Sequence, residues 1–249
     1  MKETKQQFPA EEVTLPSQGL LYPEDSPLRN GILEMKYMTA REEDILTNVN
    51  LIENGTVIDK LLESLIITPI DFNDLLTGDK DAVLIAARIL GYGADYTFNY
   101  NGEELNVDLT TIKDKQLDES LIVDGKNEFS FTLPTSKKEV TFKFLTHGDE
   151  QKITKELKGL KKLNKNSSND LTTRMKYIIT SIDNDFEIKT IREFVDNEFL
   201  ARDARELRKY ISKIQPSVDL SYDYEDQRGN VTTIDIPVGI QFFWPDASI

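Results

Sequence analysis

Residues 234–245 read Ile-Asp-Ile-Pro-Val-Gly-Ile-Gln-Phe-Phe-Trp-Pro, and this stretch contains the only tryptophan of the chain. Its three adjacent aromatic side chains would promote aggregation if they stayed in solvent. We therefore expect the aromatic segment, residues 242–244, to dock either on the fold of its own chain or on a partner. If the aromatic segment docks on its own chain, it covers apolar surface of that chain; if it docks on a partner, that surface needs another cover.

A β-hairpin is predicted immediately before the aromatic segment. Residues 218–224 alternate between apolar and polar side chains, which is the period of a half-buried strand. Residues 225–230 are polar and contain a Gly-Asn pair, which favours a turn, and residues 231–236 supply the second strand. Pro237 and Gly239 limit further pairing, so the aromatic segment is expected to leave the hairpin in an extended conformation.

The helix before this hairpin offers a docking surface. Apolar residues recur at three- and four-residue spacing over residues 188–211, which predicts one long amphipathic helix with charged residues on its opposite face. Pro216 lies just beyond its end. The apolar stripe at Phe194, Phe199 and Leu207 needs a cover, which favours docking of the aromatic segment on the chain itself.

The composition describes an acidic chain that can build a core. The 249 residues carry a formal net charge of −14, and 39% of them are hydrophobic. General nucleic-acid binding is disfavoured, because it depends on neutralising phosphates with Lys and Arg. No apolar run is long enough to cross a bilayer, and the first residues lack the apolar region of a secretory signal. The absence of cysteine removes disulfides, thiol catalysis and cysteine zinc sites, and it fits a reducing compartment.

The pattern along the chain predicts an α+β fold that is mostly helical, with a small inserted antiparallel β-sheet and a C-terminal β-hairpin. Five segments are expected: an extended N-terminal arm at 1–37, a helical layer at 38–93, a small antiparallel β region at 94–148, a helical region at 149–215, and the C-terminal hairpin with its aromatic tail at 216–249. The boundaries follow the change from helical spacing to strand alternation and back.

Local signals define several of the individual elements. Thr39 and Glu42 form the capping box of a helix, and Asn101-Gly102 joins two alternating runs as a hairpin. Helices are predicted at 40–48, 56–66, 81–90 and 171–182, with a further one opened by Pro69 and Asp71 and broken at 78–80, and another that begins at Asp149 or Glu150. Strands are predicted at 32–37, and at 96–100, 105–109, 129–133 and 140–144 as two hairpins of one sheet.

Residues that could carry chemistry are few. The sole histidine, His147, lies at a strand-to-helix joint, where a structural role is favoured over that of a general base. Residues 183–187 are similar to a calcium loop, but Ile188 stands where the loop needs glycine and Phe194 stands where it needs glutamate. We therefore expect an acidic turn that caps the following helix.

A lysine-rich helix face is the other unusual feature. It consists of Lys152, Lys155, Lys158, Lys161, Lys162 and Lys165. Such a face could meet an acidic surface, although a solvated face is the more common arrangement. No catalytic, cofactor-binding or metal-binding residue is predicted, and the spacing of the polar residues argues against an enzyme.

Four phrases occur in the order found in a known family. Residues 13–23 read Val-Thr-Leu-Pro-Ser-Gln-Gly-Leu-Leu-Tyr-Pro, residues 38–46 read Met-Thr-Ala-Arg-Glu-Glu-Asp-Ile-Leu, residues 203–211 read Asp-Ala-Arg-Glu-Leu-Arg-Lys-Tyr-Ile, and residues 242–245 read Phe-Phe-Trp-Pro. Together they resemble phrases of the T4-type bacteriophage baseplate hub protein family, the small hub or hub-assembly subunits of contractile tails. The phrases span nearly the whole chain, and none is a catalytic motif.

The resemblance implies a non-enzymatic structural or assembly subunit of a contractile-tail baseplate hub, which acts through protein–protein contacts with other baseplate or tail-hub proteins. The location it implies is the virion tail baseplate, and the host cytoplasm during assembly. No cofactor, nucleic-acid partner or membrane partner is expected, and the oligomeric state is left open. Two alternatives stand beside it: a phage-encoded assembly chaperone absent from the mature virion, and a host-directed binding protein.

Two segments are candidates for partner contacts. Residues 8–23 place apolar side chains in an extended arm stiffened by Pro9, Pro16 and Pro23, and such an arm loses little entropy when it binds a groove. The aromatic segment is the second candidate, because Trp and Phe are common interface anchors. The candidate residues are Leu15, Leu20, Leu21, Tyr22, Phe242, Phe243 and Trp244.

Overall fold

The computed structural model describes residues 9–115, 117–123, 125–163, 169–225 and 228–243. These residues form eight α-helices and nine β-strands, and the strands make four small antiparallel sheets. Of the described residues, 46% are helical and 22% are in strands. The prediction of a mostly helical fold with one small inserted sheet is therefore wrong, because strand pairing is distributed along the chain rather than confined to one insert.

The first sheet is a hairpin of β1 (Ala10–Thr14) and β2 (Ile32–Lys36). Sequence alternation predicts β2 but not β1. Strand β1 reads Ala-Glu-Glu-Val-Thr, in which apolar and polar residues do not alternate. Three of its five residues are exposed. The segment between the two strands turns back into the core, where Leu15 and Leu28 are buried.

Three short helices follow: α1 (Ala40–Leu46), α2 (Val49–Asn54) and α3 (Val57–Leu65). The capping box of α1 is confirmed, because the Glu42 carboxylate accepts a hydrogen bond from the Thr39 backbone N–H at 3.0 Å. Helix α2 has only six residues, too few for a helical period to show in the sequence. The Asn48 side chain caps its first turn by accepting from the Leu51 N–H.

Helix α4 (Thr77–Tyr92) packs against α3, against β1 and against residues 240–243. The predicted break at 78–80 is wrong, since these residues lie in its first turn. Gly78 is needed there because the backbone of Pro216 passes close by: a Cβ on Gly78 would lie 1.8 Å from the Pro216 carbonyl oxygen. The helix predicted to open near Asp71 is only a 3₁₀ turn, Phe72–Asp74.

The second sheet is the hairpin of β3 (Asp95–Tyr100) and β4 (Glu103–Asp108), as predicted. Asn101 and Gly102 form its turn with left-handed backbones, at φ 52° and 85°. The turn chemistry alone is enough to define this element.

The third sheet has the order β5 (Phe129–Thr132), β6 (Glu139–Phe142) and β7 (Ile179–Ile182). The prediction that both central hairpins share one sheet is wrong, because β6 pairs with β5 on one side and with β7 on the other, and neither β5 nor β6 pairs with the second sheet. Residues 179–182, predicted as the end of a helix, form β7. Their Ile-Thr-Ser-Ile sequence suits a strand once β6 is available as a partner.

The second helical region contains α5 (His147–Leu163), α6 (Asp170–Ile178), α7 (Ile188–Asn197) and α8 (Ala201–Ile214). The single long helix predicted over 188–211 is therefore two helices. The helical conformation ends after α7, where the backbone N–H groups of Glu198 and Phe199 both donate to the Phe194 carbonyl oxygen. The Phe199 ring then folds back onto Phe194, with ring centroids 5.3 Å apart.

The predicted C-terminal hairpin is confirmed as β8 (Ser221–Glu225) and β9 (Val231–Asp235). It packs on the second sheet through aromatic pairs. The ring centroids of Phe98 and Tyr222 lie 6.2 Å apart, and those of Tyr100 and Tyr224 lie 5.2 Å apart. A 3₁₀ turn, Ile240–Phe243, follows.

One cluster of buried hydrophobic residues connects these parts. It includes Leu33 of the first sheet, Leu61 of α3, Phe142 of the third sheet, Leu207 of α8 and Phe243 near the end of the described chain. Among the described residues, no helix combines the length and the apolar character required of a membrane span.

Candidate interaction surfaces

The Leu-Pro-Ser-Gln-Gly phrase forms a tight turn against the N-terminal hairpin. Gln18 and Gly19 have left-handed backbones, at φ 53° and 78°. A Cβ on Gly19 would lie 2.2 Å from the carbonyl oxygen of Arg29, so a larger residue would require the backbone to move. The Leu15 N–H donates to the carbonyl oxygen of Gly31 at 2.8 Å. The phrase is therefore a close-packed joint.

A buried carboxylate connects this turn to α4. Asp79 is 1% exposed and accepts hydrogen bonds from the Ser17 N–H at 2.9 Å, the Ser17 hydroxyl at 2.7 Å and the Tyr22 hydroxyl at 2.6 Å. The Tyr22 hydroxyl accepts from the Leu76 N–H at 2.9 Å. Burial raises the pKa of Asp79 above the usual aspartate value, although the hydrogen bonds from Tyr22 and Ser17 oppose the rise. We call this group the Asp79 joint.

A buried cation holds the other end of the chain. Arg88 is 1% exposed, and its guanidinium donates to the carbonyl oxygens of Phe242 at 2.8 Å, Gly93 at 2.8 Å and Asp95 at 3.0 Å. The Phe242 ring packs edge-on against Tyr96, with centroids 4.7 Å apart. We call this group the Arg88 joint.

These two joints decide where the candidate contact residues lie. Leu15, Leu21, Tyr22, Phe242 and Phe243 are all buried in the core of their own chain, at 4% exposure or less. Leu20 is half-buried. Trp244 and Phe8 lie outside the described residues.

The surface that receives Phe242 and Phe243 differs from the predicted one. These side chains pack beside α4 and β3 through the Arg88 joint, rather than on the stripe of residues 188–211. That stripe is covered by the third sheet, where Tyr210 of α8 stacks on Phe131 with ring centroids 4.9 Å apart. The pattern predicts that the stripe needs a cover, but it cannot identify the covering element.

His147 is buried in a polar cluster. Its Nδ1 lies 3.3 Å from Nζ of Lys80, which also forms an ion pair of 2.6 Å with Asp59. Its Nε2 lies 2.8 Å from the side-chain amide of Gln151, and its ring packs on Phe72 with centroids 4.6 Å apart. Burial and the Lys80 charge lower the pKa of His147. The neutral imidazole, which accepts a hydrogen bond from Lys80, is the form that this geometry stabilises.

Residues 183–188, here called the acidic turn, protrude from the end of β7. All six are exposed, including Phe186 at 60% and Ile188 at 71%. Two hydrogen bonds of 2.9 Å fix the turn: Asp183 accepts from the N–H of Glu139 in β6, and Asp185 accepts from the N–H of Glu187 within the turn. The N–H of Glu187 lies before the first turn of α7, and no side chain caps that turn, so the prediction that the acidic turn caps the helix is wrong.

The lysine face of α5 is exposed over its described part, namely Lys152, Lys155, Lys158, Lys161 and Lys162. Lys152 approaches Asp149 at 3.7 Å. The other four form no ion pair with a carboxylate in the described part of the chain. Leu163, at the end of the helix, is 87% exposed.

Within the described ranges, no group of three or more His, Cys, Asp or Glu residues is arranged to hold a metal ion. The buried ionisable residues Asp79, Arg88 and Asp203 bind groups of the chain itself: Asp203 accepts from the N–H groups of Thr135 and Ser136 at 2.7 and 3.0 Å. What these residues do is join segments that are distant in sequence.

Sequence reasoning did not identify either joint. Arg88 carries a usable signal, because it is a lone charge within the apolar run Ala-Val-Leu-Ile-Ala-Ala-Arg-Ile-Leu, and a buried charge in such a run requires partners. Asp79 carries no such signal, since Gly-Asp-Lys is typical of a turn. Phe186 could have been noticed as an aromatic residue between acidic neighbours.

No protein-family model, curated protein or solved structure matches this chain.

Proposed function

We propose that this chain is a non-enzymatic structural or assembly subunit of the baseplate hub of a contractile phage tail, and that it acts through protein–protein contacts. The observation that carries the proposal is the position of the four phrases that resemble the hub family. The first and last phrases supply residues to the Asp79 joint and the Arg88 joint, and the second and third supply carboxylates near the starts of α1 and α8. A shared phrase of this kind is therefore expected to accompany a shared architecture rather than a shared catalytic site.

The first and last phrases supply the two buried joints. Residues 13–23 contribute Ser17 and Tyr22 to the Asp79 joint, and the phrase that starts at Phe242 contributes a carbonyl oxygen to the Arg88 joint. Helix α4 carries both Asp79 and Arg88, so the two phrases are held by one element.

The second and third phrases supply the ends of helices. Glu42, in residues 38–46, closes the capping box of α1 and forms an ion pair of 2.7 Å with Lys36 of β2. Asp203, in residues 203–211, accepts two backbone hydrogen bonds from the loop between β5 and β6. Removal of either carboxylate would take away the acceptor of partly buried hydrogen bonds from backbone N–H groups.

A role in protein contacts is supported by how the charge is distributed. The buried ionisable groups named above are engaged within the fold. Within the described residues, Asp183, Asp185 and Glu187 of the acidic turn and Lys155, Lys158, Lys161 and Lys162 of the lysine face are exposed and form no ion pair. Exposed charges of either sign favour partners whose surface carries the opposite charge.

The proposal is tested by mass spectrometry of two preparations from cells infected with the phage proposed to encode this chain. One preparation contains purified virions and the other contains unfinished tails. We expect the chain in unfinished tails, together with other hub proteins. Its presence in mature virions as well would identify a permanent subunit, and its loss from them would identify an assembly chaperone. Absence from both preparations would reject the hub proposal and favour a host-directed binding protein.

A matched pair of tagged chains makes the test specific. One chain is wild type, and the other carries Asp79→Ala, which disrupts the joint formed by the first phrase. We expect the wild-type chain, but not the variant, to co-purify with hub proteins from infected cells. Equal recovery of hub proteins by both chains would contradict a role for this architecture in assembly.

A further inference from the structure

The sequence contains three Asn-Gly pairs, at residues 30–31, 54–55 and 101–102. In such a pair the backbone nitrogen of the glycine can attack the asparagine carboxamide, because glycine has no side chain to hinder the approach. Asparagine is for this reason among the thermolabile residues of proteins. The dipeptide is the same in all three places, so the structure around each pair decides which one reacts.

The fold engages the glycine N–H of two of the pairs. The Gly31 N–H donates to the Leu28 carbonyl oxygen at 3.1 Å, and the Gly55 N–H donates to the Ile52 carbonyl oxygen at 3.0 Å. Gly31 is also buried against the backbone of Gln18. A backbone nitrogen held in this way must lose its hydrogen bond before it can attack, and this requirement slows the reaction at both pairs.

The third pair is open to solvent. Asn101 and Gly102 form the turn between β3 and β4, and both residues are exposed. Within the described residues, the Gly102 N–H has no acceptor and the Asn101 carboxamide forms no hydrogen bond. A Cβ on Gly102 would meet nothing within 4 Å, so no neighbouring group covers the turn. The attacking nitrogen and its target are therefore both accessible.

We propose that Asn101 is a site of spontaneous deamidation, with water as the only co-reactant. The Gly102 nitrogen forms a bond to Cγ of Asn101, and its proton and the carboxamide NH₂ leave together as ammonia. Water then opens the succinimide ring. Attack at the side-chain carbonyl carbon gives aspartate, and attack at the backbone carbonyl carbon gives isoaspartate, whose main chain is longer by one methylene group. The inference does not depend on the hub proposal.

Isoaspartate in this turn changes the packing between two hairpins. The turn sets Tyr100 opposite Glu103, and both residues contact Tyr224 of β8. The rings of Tyr100 and Tyr224 have centroids 5.2 Å apart, and the Tyr224 hydroxyl donates to the Glu103 carboxylate at 2.8 Å. Turn type and loop length fix the register of a hairpin, so an added methylene group displaces these contacts. Deamidation therefore loosens the second sheet from the C-terminal hairpin.

Peptide mass spectrometry of the folded chain, incubated near neutral pH, tests the site. Trypsin cleaves after Lys and Arg, so it releases the three pairs in separate peptides, residues 30–36, 42–60 and 89–113. Fragment spectra identify the converted asparagine in each peptide. We expect Asn101 to convert about tenfold faster than the other two, the factor that corresponds to one broken hydrogen bond. Conversion of Asn101 no faster than that of the others would overturn the proposal.

The same chain unfolded in urea is the matched control for flanking sequence. Unfolding removes the hydrogen bonds of Gly31 and Gly55, so we expect the three asparagines to convert at comparable rates. If Asn101 keeps the same lead in urea, its neighbours in sequence rather than the fold determine the site, and the proposal fails.

The Asn101→Gly variant tests the effect on packing. Gly-Gly also forms two-residue hairpin turns with positive φ, so the variant keeps the hairpin but lacks the carboxamide. After incubation, we expect wild type to unfold at a lower urea concentration than fresh protein, in step with its isoaspartate content, and the variant to be unchanged. Incubated wild type that contains isoaspartate at position 101 and is as stable as fresh protein would overturn the proposed loosening. An equal loss of stability in the variant would overturn it as well.

Discussion

The Arg88 guanidinium donates a hydrogen bond of 2.8 Å to the Phe242 carbonyl oxygen, 154 positions later in the chain. A buried guanidinium is costly unless its donors are paired. Here the partners are backbone carbonyl oxygens, and the planar arrangement of the guanidinium nitrogens allows three separate acceptors to be reached at once. Helix α4 thereby holds the turn that contains Phe242.

The first prediction follows from this geometry. Arg88→Lys should lower the free energy of unfolding by about 2–4 kcal/mol, because a lysine ammonium cannot reproduce the planar fork and leaves buried carbonyl oxygens unpaired. Urea denaturation monitored by circular dichroism measures the change. The control is Arg205→Lys on the exposed face of α8, which should change stability by less than about 0.5 kcal/mol. Equal effects of the two substitutions would contradict the joint.

The second prediction concerns the Asp79 joint. Asp79→Ala should cost about 3–5 kcal/mol, since it leaves the buried donors of Ser17 and Tyr22 without an acceptor. Asp79→Asn keeps one acceptor oxygen and should cost clearly less. Tyr22→Phe should cost about 1–3 kcal/mol, because it removes the hydroxyl that bridges Asp79 and the Leu76 N–H. Chemical denaturation of the three variants tests this order, and an alanine variant as stable as wild type would refute it.

Elements set by neighbouring residues could be predicted from the sequence. The capping box at Thr39 and the Asn101-Gly102 hairpin depend on chemistry within a few residues. Strand β7 and the division of residues 188–211 into two helices could not be predicted in the same way. The first requires β6 as a pairing partner, and the second requires Phe199 to fold back on Phe194. The spacing of apolar residues in the sequence reveals neither the pairing of β6 with β7 nor the contact of Phe199 with Phe194.

The residues predicted to contact a partner show the same limit of prediction from the sequence. Leu15, Tyr22 and Phe242 are prominent in the sequence because they are apolar and lie in extended segments. The same properties allow a segment to enter its own core, and Asp79 and Arg88, which make this possible, are distant in sequence. The lysine face and the acidic turn, which are exposed, consist instead of charged residues that local patterns describe as solvated.

The third prediction is a pH dependence that originates at His147. The folded state lowers the pKa of this histidine, through burial and the nearby charge of Lys80, while Asp59, Glu63 and Glu150 oppose the shift. The unfolded chain therefore binds a proton more readily than the folded chain. Stability from this group is present above the usual histidine pKa of about 6.5 and is lost as the pH falls below it, with a slope of at most about 1.4 kcal/mol per pH unit.

Unfolding free energies at pH 7.5 and 5.5 measure this dependence, at values chosen about one unit on either side of the usual histidine pKa. His147→Gln should reduce the difference between the two conditions, because glutamine does not titrate. The carboxylates contribute equally to wild type and variant, so the comparison isolates His147. A variant that loses as much stability as wild type between the two conditions would contradict the prediction.

The fourth prediction compares two glycines that both lie inside helices. A Cβ at Gly78 would lie 1.8 Å from the Pro216 carbonyl oxygen, whereas a Cβ at Gly159 would meet nothing within 4 Å. Gly78→Ala should therefore destabilise the fold by about 1–3 kcal/mol or more, because the backbone of Pro216 must move. Gly159→Ala should stabilise it by about 0.5–1 kcal/mol, since alanine has the higher helix propensity and needs no rearrangement. Thermal unfolding of both variants and of wild type measures whether each substitution raises or lowers the stability. The substitution is the same in both variants, so shifts of equal sign would mean that the approach of Pro216 to α4 does not control the packing of this helix.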